Sequence, residues 1–310
     1  MAMEKRALGK SGIEISAMGL GCWAIGGQWY GKVDDDESIR ALHCALDMGV
    51  NFLDTAEGYG ENGHSESVIG KALHGRRDKV FIATKFGGQR TALDDIRGAC
   101  EASLKRLRTD YIDLYQCRGG PVHMENRNEI RQVLEKLVEE GKIHWYGCST
   151  DNAESIRILA QGPHCTAAEI ALNVLRRNPE ALAACEELNL ASINRSPLAM
   201  GILSGKFTAD TTFAEGDVRG AEFPWLQVYF DGGKPRSDLL EELDAIRDIL
   251  TSQGRTLVQG ALAWIWGRSE RTIPIPGFKT VKQIEENVAA MDFGPLTAEQ
   301  MEEIEELLGE

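Results

Sequence analysis

Eight short apolar runs, most of them followed by a segment of helical spacing, limit what this chain can become more than any other feature. They cover residues 17–21, 50–53, 80–84, 111–116, 143–147, 167–172, 191–195 and 272–275. The runs show no apolar–polar alternation, so both faces of each strand are expected to be covered. Such strands belong to a parallel sheet flanked by helices. The intervening segments supply those helices at 65–73, 93–107, about 126–140, 153–160 and 179–188, then at 237–250 and 256–267 after an irregular stretch at 197–235. An earlier helix opens at Asp34-Asp35-Asp36-Glu37, where acids complement the dipole, and has an apolar face at Ile39, Leu42 and Leu46. An open doubly wound sheet leaves eight successive units unexplained, whereas closure into a (β/α)8 TIM barrel accounts for them. An N-terminal β-hairpin over 6–16, turning at Ser11-Gly12, precedes the barrel, and extra C-terminal helices end it. The last of these carries the acidic run 299–306 on a solvated face.

A length of 310 residues suits one such barrel, so 1–310 is expected to be a single domain. The net charge of −14 argues against nucleic acid and anionic membrane surfaces as partners. No run reaches transmembrane length, and the opening Met-Ala-Met-Glu-Lys-Arg has no apolar core behind it, so no signal peptide is expected. The seven cysteines are scattered, without CxxC spacing, which favours neither a disulfide frame nor a zinc site. A reduced, cytoplasmic protein is the expectation.

Barrels of this kind carry their chemistry at the C-terminal strand ends. Two consecutive runs end there in titratable residues. The run 50–53 stops at Asp54, a small-residue loop leads to Gly58-Tyr59-Gly60, and the next run stops at Lys85. A phenol, with a pKa of about 10, is a poor acid at neutral pH until a nearby cation stabilises its anion. Singly, these residues could be a cap, a packing ring and a solvated charge; together they form a proton-handling set. By contrast Gly19-Leu20-Gly21-Cys22-Trp23-Ala24 matches the dinucleotide fingerprint only formally. That motif needs a helix to begin inside it, and Gly26, Gly27 and Gln28 follow without helical period.

Asp54, Tyr59 and Lys85 at these spacings resemble the Asp, Tyr and Lys of the aldo-keto reductase family, and the resemblance runs nearly the whole length of the chain. It implies hydride transfer between the nicotinamide of NADP(H) and a carbonyl carbon. Tyr59 would exchange a proton with the carbonyl oxygen, Lys85 would lower the phenol's pKa, and Asp54 would hold Lys85 charged and oriented. The family's histidine after the fourth barrel strand is replaced. Its pattern resembles Asp-Leu-Tyr-Gln-x-His, and this chain reads Asp113-Leu114-Tyr115-Gln116-Cys117-Arg118. A guanidinium cannot offer a neutral imidazole to a carbonyl. Arg118 with Lys85 is therefore expected to push Tyr59 toward phenolate, favouring alcohol oxidation or an acidic or polyhydroxylated substrate that Arg118 grips. The alternative is that Arg118 is a surface or salt-bridge residue and His123 substitutes for the histidine.

The same resemblance assigns a cofactor groove. Ser149, followed by Thr150 in place of the family's Asn, would bind the nicotinamide carboxamide; Glu169 stands where the family has an amide-reading Gln. The segment 195–206 resembles the pyrophosphate element, with Arg195 stacking on the nicotinamide, Ser196, Leu198 and Gly201 alongside the phosphates, and Lys206 supplying charge. Pro276, Gly277, Lys279 and Thr280, with the helical Gln283, Glu286 and Asn287, resemble the adenosine element. There Lys279 and Thr280 would take the 2′-phosphate and Glu286 and Asn287 the adenine, which favours NADP over NAD. Gly21 and Trp23 would border the cofactor, and Trp23, Trp29 and Tyr30 the substrate, with Phe223, Trp225, Tyr229 and Phe230 as further wall candidates. Trp264 and Trp266, two apart on one helix, face different ways, so at least one is expected in the core.

The resemblance thus implies an NADP(H)-dependent oxidoreductase acting on a small aldehyde, ketone or sugar-like substrate. Two other readings use the same barrel: a cofactor-binding regulatory protein with weak catalysis, and a redox-neutral lyase or epimerase.

Overall fold

A computed structural model describes residues 3–87, 93–119 and 127–309. Strands β1 (Lys5–Ala7) and β2 (Glu14–Ser16) pair antiparallel as the expected hairpin. Then strand and helix alternate: β3 (Leu20–Gly21), α1 (Asp35–Asp47), β4 (Phe52–Asp54), α2 (His64–Ala72), β5 (Phe81–Phe86), α3 (Leu93–Leu107), β6 (Ile112–Arg118) and α4 (Arg127–Glu139). The series continues through β7 (Ile143–Ser149), α5 (Ala153–Leu159), β8 (Cys165–Ala171), α6 (Pro179–Glu187) and β9 (Ala191–Arg195). After a long loop come α7 (Ser237–Leu250), α8 (Leu257–Arg268), and, beyond one more barrel strand, α9 (Val281–Ala289) and α10 (Ala298–Leu308). The stretch expected to be irregular holds 3-10 turns and a two-stranded hairpin, β10 (Phe230–Asp231) with β11 (Lys234–Pro235). That last barrel strand is β12 (Thr272–Pro274).

The eight-stranded sheet runs β12-β9-β8-β7-β6-β5-β4-β3, every pair parallel. Its two edges meet. Gly19 N–H donates to Pro274 O and Gly21 N–H to Pro276 O, each at 3.0 Å, and Gly21 bridges Gly277. These bonds close the (β/α)8 barrel, so the sheet keeps no free edge.

Strand alternation sorts each run into two layers, although the runs are apolar throughout. Leu53, Ile82, Tyr115 and Ile170 pack outward against the helices. Phe52, Phe81, Ala83, Leu114, Ala167, Ala191, Ile193 and Ile273 form the barrel interior, which Leu8 and Ile15 of the hairpin segment plug from the N-terminal end. Continuing the inward rows by two residues reaches Asp54, Lys85, Gln116, Glu169 and Arg195. The period of 2 therefore aims every polar strand-end residue into one space. Lys85 and Arg118 lie inside β5 and β6 rather than just beyond them, because both strands run further than the apolar stretch in the sequence.

The helix start at Asp34 is as the acids suggest: its carboxylate accepts from the N–H groups of Asp36 and Glu37 at 2.9 and 3.2 Å. Trp264 and Trp266 are both buried, since α8 is covered on all sides, and Trp266 Nε1 donates to Ala17 O at 2.9 Å. Among the described residues no helix is long and apolar enough to cross a membrane.

Candidate active site

The C-terminal barrel mouth opens into a cavity of about 560 Å³ that reaches from Asp54 and Tyr59 to Asn287. Its floor is an ionic cluster. Lys85 Nζ donates to Asp54 Oδ1 at 2.5 Å and to Thr55 O at 3.0 Å, and lies 3.4 Å from the Tyr59 hydroxyl. Two close backbone approaches hold Tyr59 over it. Gly60 has φ of +84°, and a Cβ there would lie 2.2 Å from Gly26 O; a Cβ on Gly26 would lie 2.7 Å from the Tyr59 carbonyl carbon. The loop bearing Tyr59 thus packs directly on the loop after β3. Trp23 from that loop stacks on the Tyr59 ring at 5.9 Å, and Tyr30 meets Trp23 edge-on at 5.2 Å.

Glu169 joins this cluster from across the barrel. Its Oε2 lies 3.0 Å from Lys85 Nζ and accepts from Gln116 Nε2 at 3.0 Å, while its Oε1 accepts from Ser149 Oγ at 3.1 Å. Gln116 Nε2 also donates to Asp54 Oδ2 at 3.2 Å. The expected carboxamide pair, Ser149 and Glu169, is therefore hydrogen-bonded to itself and, through Glu169, held against Lys85. Burial disfavours the Lys85 ammonium, but the Asp54 and Glu169 carboxylates outweigh it and raise the lysine's pKa. Burial, then the Glu169 charge, holds Asp54 well above the usual carboxylate range despite Lys85. Glu169 also loses by burial, yet Lys85 and Arg195 bring it below that range. The pair shares one ammonium, and Asp54 is the member pushed toward protonation.

The phenol departs from expectation. Its pKa is raised, first by burial and also by Asp54 and Glu169; Lys85 and Arg118 pull the other way and do not prevail. Tyr59 is thus a neutral phenol here rather than an incipient phenolate. Arg118 ends β6 with an exposed side chain bordering the cavity. His123 lies outside the described residues.

Along the wall, Arg195 Nη2 and Arg176 Nη2 donate to the Asp151 carboxylate at 2.7 and 2.9 Å. The next segment is strained: Ser196, Ala199, Met200 and Gly201 all have positive φ, of 53°, 47°, 56° and 104°. Ser196, Leu198, Gly201 and the exposed Lys206 line the cavity, as do Gly21, Trp23, Tyr30, Gly277, Lys279, Gln283, Glu286 and Asn287. Asn287 is buried, and its Nδ2 has no partner among the described residues. Lys279 Nζ donates to Tyr30 O, tying this end to the loop after β3, and Gln283 Oε1 accepts from Lys279 N–H at 2.7 Å. Burial lowers the Lys279 pKa, opposed by Asp217 and assisted by Arg219.

Thr150, Thr280, Pro276 and Trp29, expected at the site, are not among the residues lining the cavity. Thr150 Oγ1 accepts from Asn152 N–H at 3.2 Å, Thr280 caps α9 by accepting from Gln283 N–H at 3.3 Å, Pro276 O closes the barrel, and Trp29 packs on Phe223 at the rim. Asp151, Arg176, Arg219 and Tyr229 border the cavity without having been singled out as cofactor residues, and Gln116 belongs to the floor.

The model of the Aldo/keto reductase family matches residues 17–309. The chain belongs to the aldo-keto reductase family. Aldo-keto reductase YhdN of Bacillus subtilis (strain 168) is 32% identical over 300 residues, covering 91% of this chain and 87% of that protein. The structure of the glycerol dehydrogenase AKR11B4 from Gluconobacter oxydans superposes with a TM-score of 0.83 at 29% identity, covering 99% of this chain and 96% of that one. An aldo-keto reductase from Klebsiella pneumoniae in complex with NADPH gives 0.76 at 27% identity, over 99% and 95% of the two chains. In this aldo-keto reductase Asp54 and Lys85 stand at the C-terminal ends of barrel strands β4 and β5.

Proposed function

We propose that this aldo-keto reductase is an NADP(H)-dependent oxidoreductase interconverting a small carbonyl compound and its alcohol, with Tyr59 as proton donor and acceptor. The observation carrying this reading is the buried Lys85, fixed by Asp54 at 2.5 Å and standing 3.4 Å from the Tyr59 hydroxyl at the cavity floor. The cofactor assignment has two independent supports: the Asn287 Nδ2, which has no partner among the described residues, and relatives of which one is complexed with NADPH. In this chain Asn287 and Glu286 would face the adenine, Lys279 the 2′-phosphate, and the strained 196–201 segment with Lys206 the pyrophosphate. Bound there, the cofactor supplies or accepts a hydride.

The protein's own part is proton handling and placement. A carbonyl oxygen seated against the Tyr59 hydroxyl receives its proton as negative charge develops, and Lys85 steadies the phenolate left behind. Asp54 keeps Lys85 on that side of the cavity. Trp23 and Tyr30 exclude water from one flank. Arg118 gives the substrate's far end a cation, which suits a carboxylated or polyhydroxylated carbonyl.

The test follows absorbance of the reduced nicotinamide, with NADPH against aldehydes, ketones and ketoses, and with NADP against the matching alcohols and sugars. Turnover is expected, and Tyr59→Phe should lower kcat by roughly 10²–10⁴-fold. Tight NADPH binding without turnover on any of them would replace this reading with a regulatory or redox-neutral one.

A further inference from the structure

We propose that Glu169 is a positioning residue of the proton relay: a second carboxylate counter-ion to Lys85 that keeps Tyr59 in its neutral, proton-donating form. The idea rests on reading Tyr59 as the proton donor, and it gives Glu169 a task distinct from contact with the cofactor.

The geometry comes first. Lys85 has a carboxylate on either side, Asp54 at 2.5 Å and Glu169 at 3.0 Å, and all three side chains are no more than 2% exposed. Burying one carboxylate beside one ammonium is already costly, and a second carboxylate adds repulsion. A glutamine at this position would keep a polar contact with Ser149 and avoid that repulsion. Gln116 is arranged around the two side chains: its Nε2 serves both, while its Oε1 is buried with no partner among the described residues. Serving both outweighs leaving one amide oxygen without such a partner.

The electrostatic consequence reaches Tyr59 through Lys85. With Asp54 drawn toward protonation, Glu169 carries the fuller negative charge beside Lys85, and an ammonium so countered projects less positive potential on a phenol 3.4 Å away than one without it. The groups around the phenol are Lys85 from β5, Asp54 from β4, Glu169 from β8, Arg118 from β6 and the Tyr30 phenol. Glu169 in turn faces Arg195 on β9 and the Cys148 thiol on β7, and the Cys22 thiol sits beside Asp54 and Lys85. Of the two carboxylates against Lys85, Glu169 is the one whose removal leaves the Asp54 contact in place, and the displacement read at Tyr59 is what remains after Asp54 recovers its charge.

Glu169→Gln tests this with two readouts. The ultraviolet phenolate titration of Tyr59, taken as the difference from Tyr59→Phe in cofactor-free protein, is expected to move to lower pH by about one pH unit. The rising limb of alcohol oxidation and the falling limb of carbonyl reduction should move down with it, because both report the same phenol. Glu169→Asp withdraws the charge from Lys85 without deleting it and should give a smaller displacement in the same direction. An unmoved phenolate titration in whichever variant folds overturns the proposal; if NADPH binding alone weakens, Glu169 is a carboxamide contact instead. Absence of turnover in the unmodified protein would defeat the reading of Tyr59 as donor, whereas the phenolate titration still decides whether Glu169 acts on it.

Discussion

At the floor of the cavity, Asp54, Lys85, Gln116 and Glu169 stand on four strands of a closed sheet, nearly inaccessible and bonded to one another. At the far end, Lys279 is half-buried, Lys206 is exposed, and the backbone between Ser196 and Gly201 is left-handed at four residues. The floor is prearranged: its charges answer each other before any ligand arrives. The far end is prepared differently, holding strain and an Asn287 amide, unpartnered among the described residues, that a ligand would relieve. Side-chain charges at the floor should therefore govern both stability and chemistry, whereas changes at the far end should affect ligand affinity more than the fold.

Lys85→Met is the most severe way to break this contrast. It leaves Asp54 and Glu169 buried within reach of each other with no cation, a loss on the order of 3–5 kcal/mol of folding stability. The folded variant would hold a proton that its unfolded chain releases, so its deficit should shrink on acidification and grow as pH rises through the pair's raised titration. Denaturant unfolding at several pH values checks the sign. A deficit independent of pH would mean that the two carboxylates do not depend on Lys85 for their charge.

Lys279→Ala probes the far end. Losing a charge-assisted bond to a 2′-phosphate should weaken NADPH binding by roughly 10–100-fold, leave NADH binding nearly unchanged and barely alter unfolding. Equal losses for the two cofactors would show that Lys279 supports the loop through Tyr30 O rather than reading the phosphate.

The same contrast explains what the sequence disclosed. Asp54 and Lys85 are legible because each closes an apolar run, and strand alternation then aims both inward. The role of Glu169 is not: its lysine lies 84 positions earlier, on a strand separated from β8 by two others, and no local spacing encodes that meeting. The Asp151–Arg195 pair escapes notice for the same reason. Phe230–Asp231 and Lys234–Pro235 are too short to express a period, so their hairpin reads as irregular chain. The far-end residues were assigned through motif resemblance, which gives residue types in order but not the backbone strain that shapes them. Lys85 and Arg118 do pull the Tyr59 phenol down as their charges imply, but its burial, which no local spacing reveals, outweighs them, with the Asp54 and Glu169 charges adding to it.

Gly201→Ala gives the smallest and most discriminating effect. Gly201 has φ of +104°, and a Cβ there would approach the Phe207 ring to 3.1 Å. An alanine must either keep this conformation with strain or relax the segment between Ser196 and Gly205, so stability should fall by about 1 kcal/mol. If the left-handed run is the phosphate cradle, relaxation should also raise the Kd for NADPH and NADH alike by several-fold, since the pyrophosphate is common to both. The phenolate titration of Tyr59 should not move, because the floor does not depend on this loop for its charges. A displaced titration would mean that floor and far end are mechanically joined, and the two would then have to be treated as one unit.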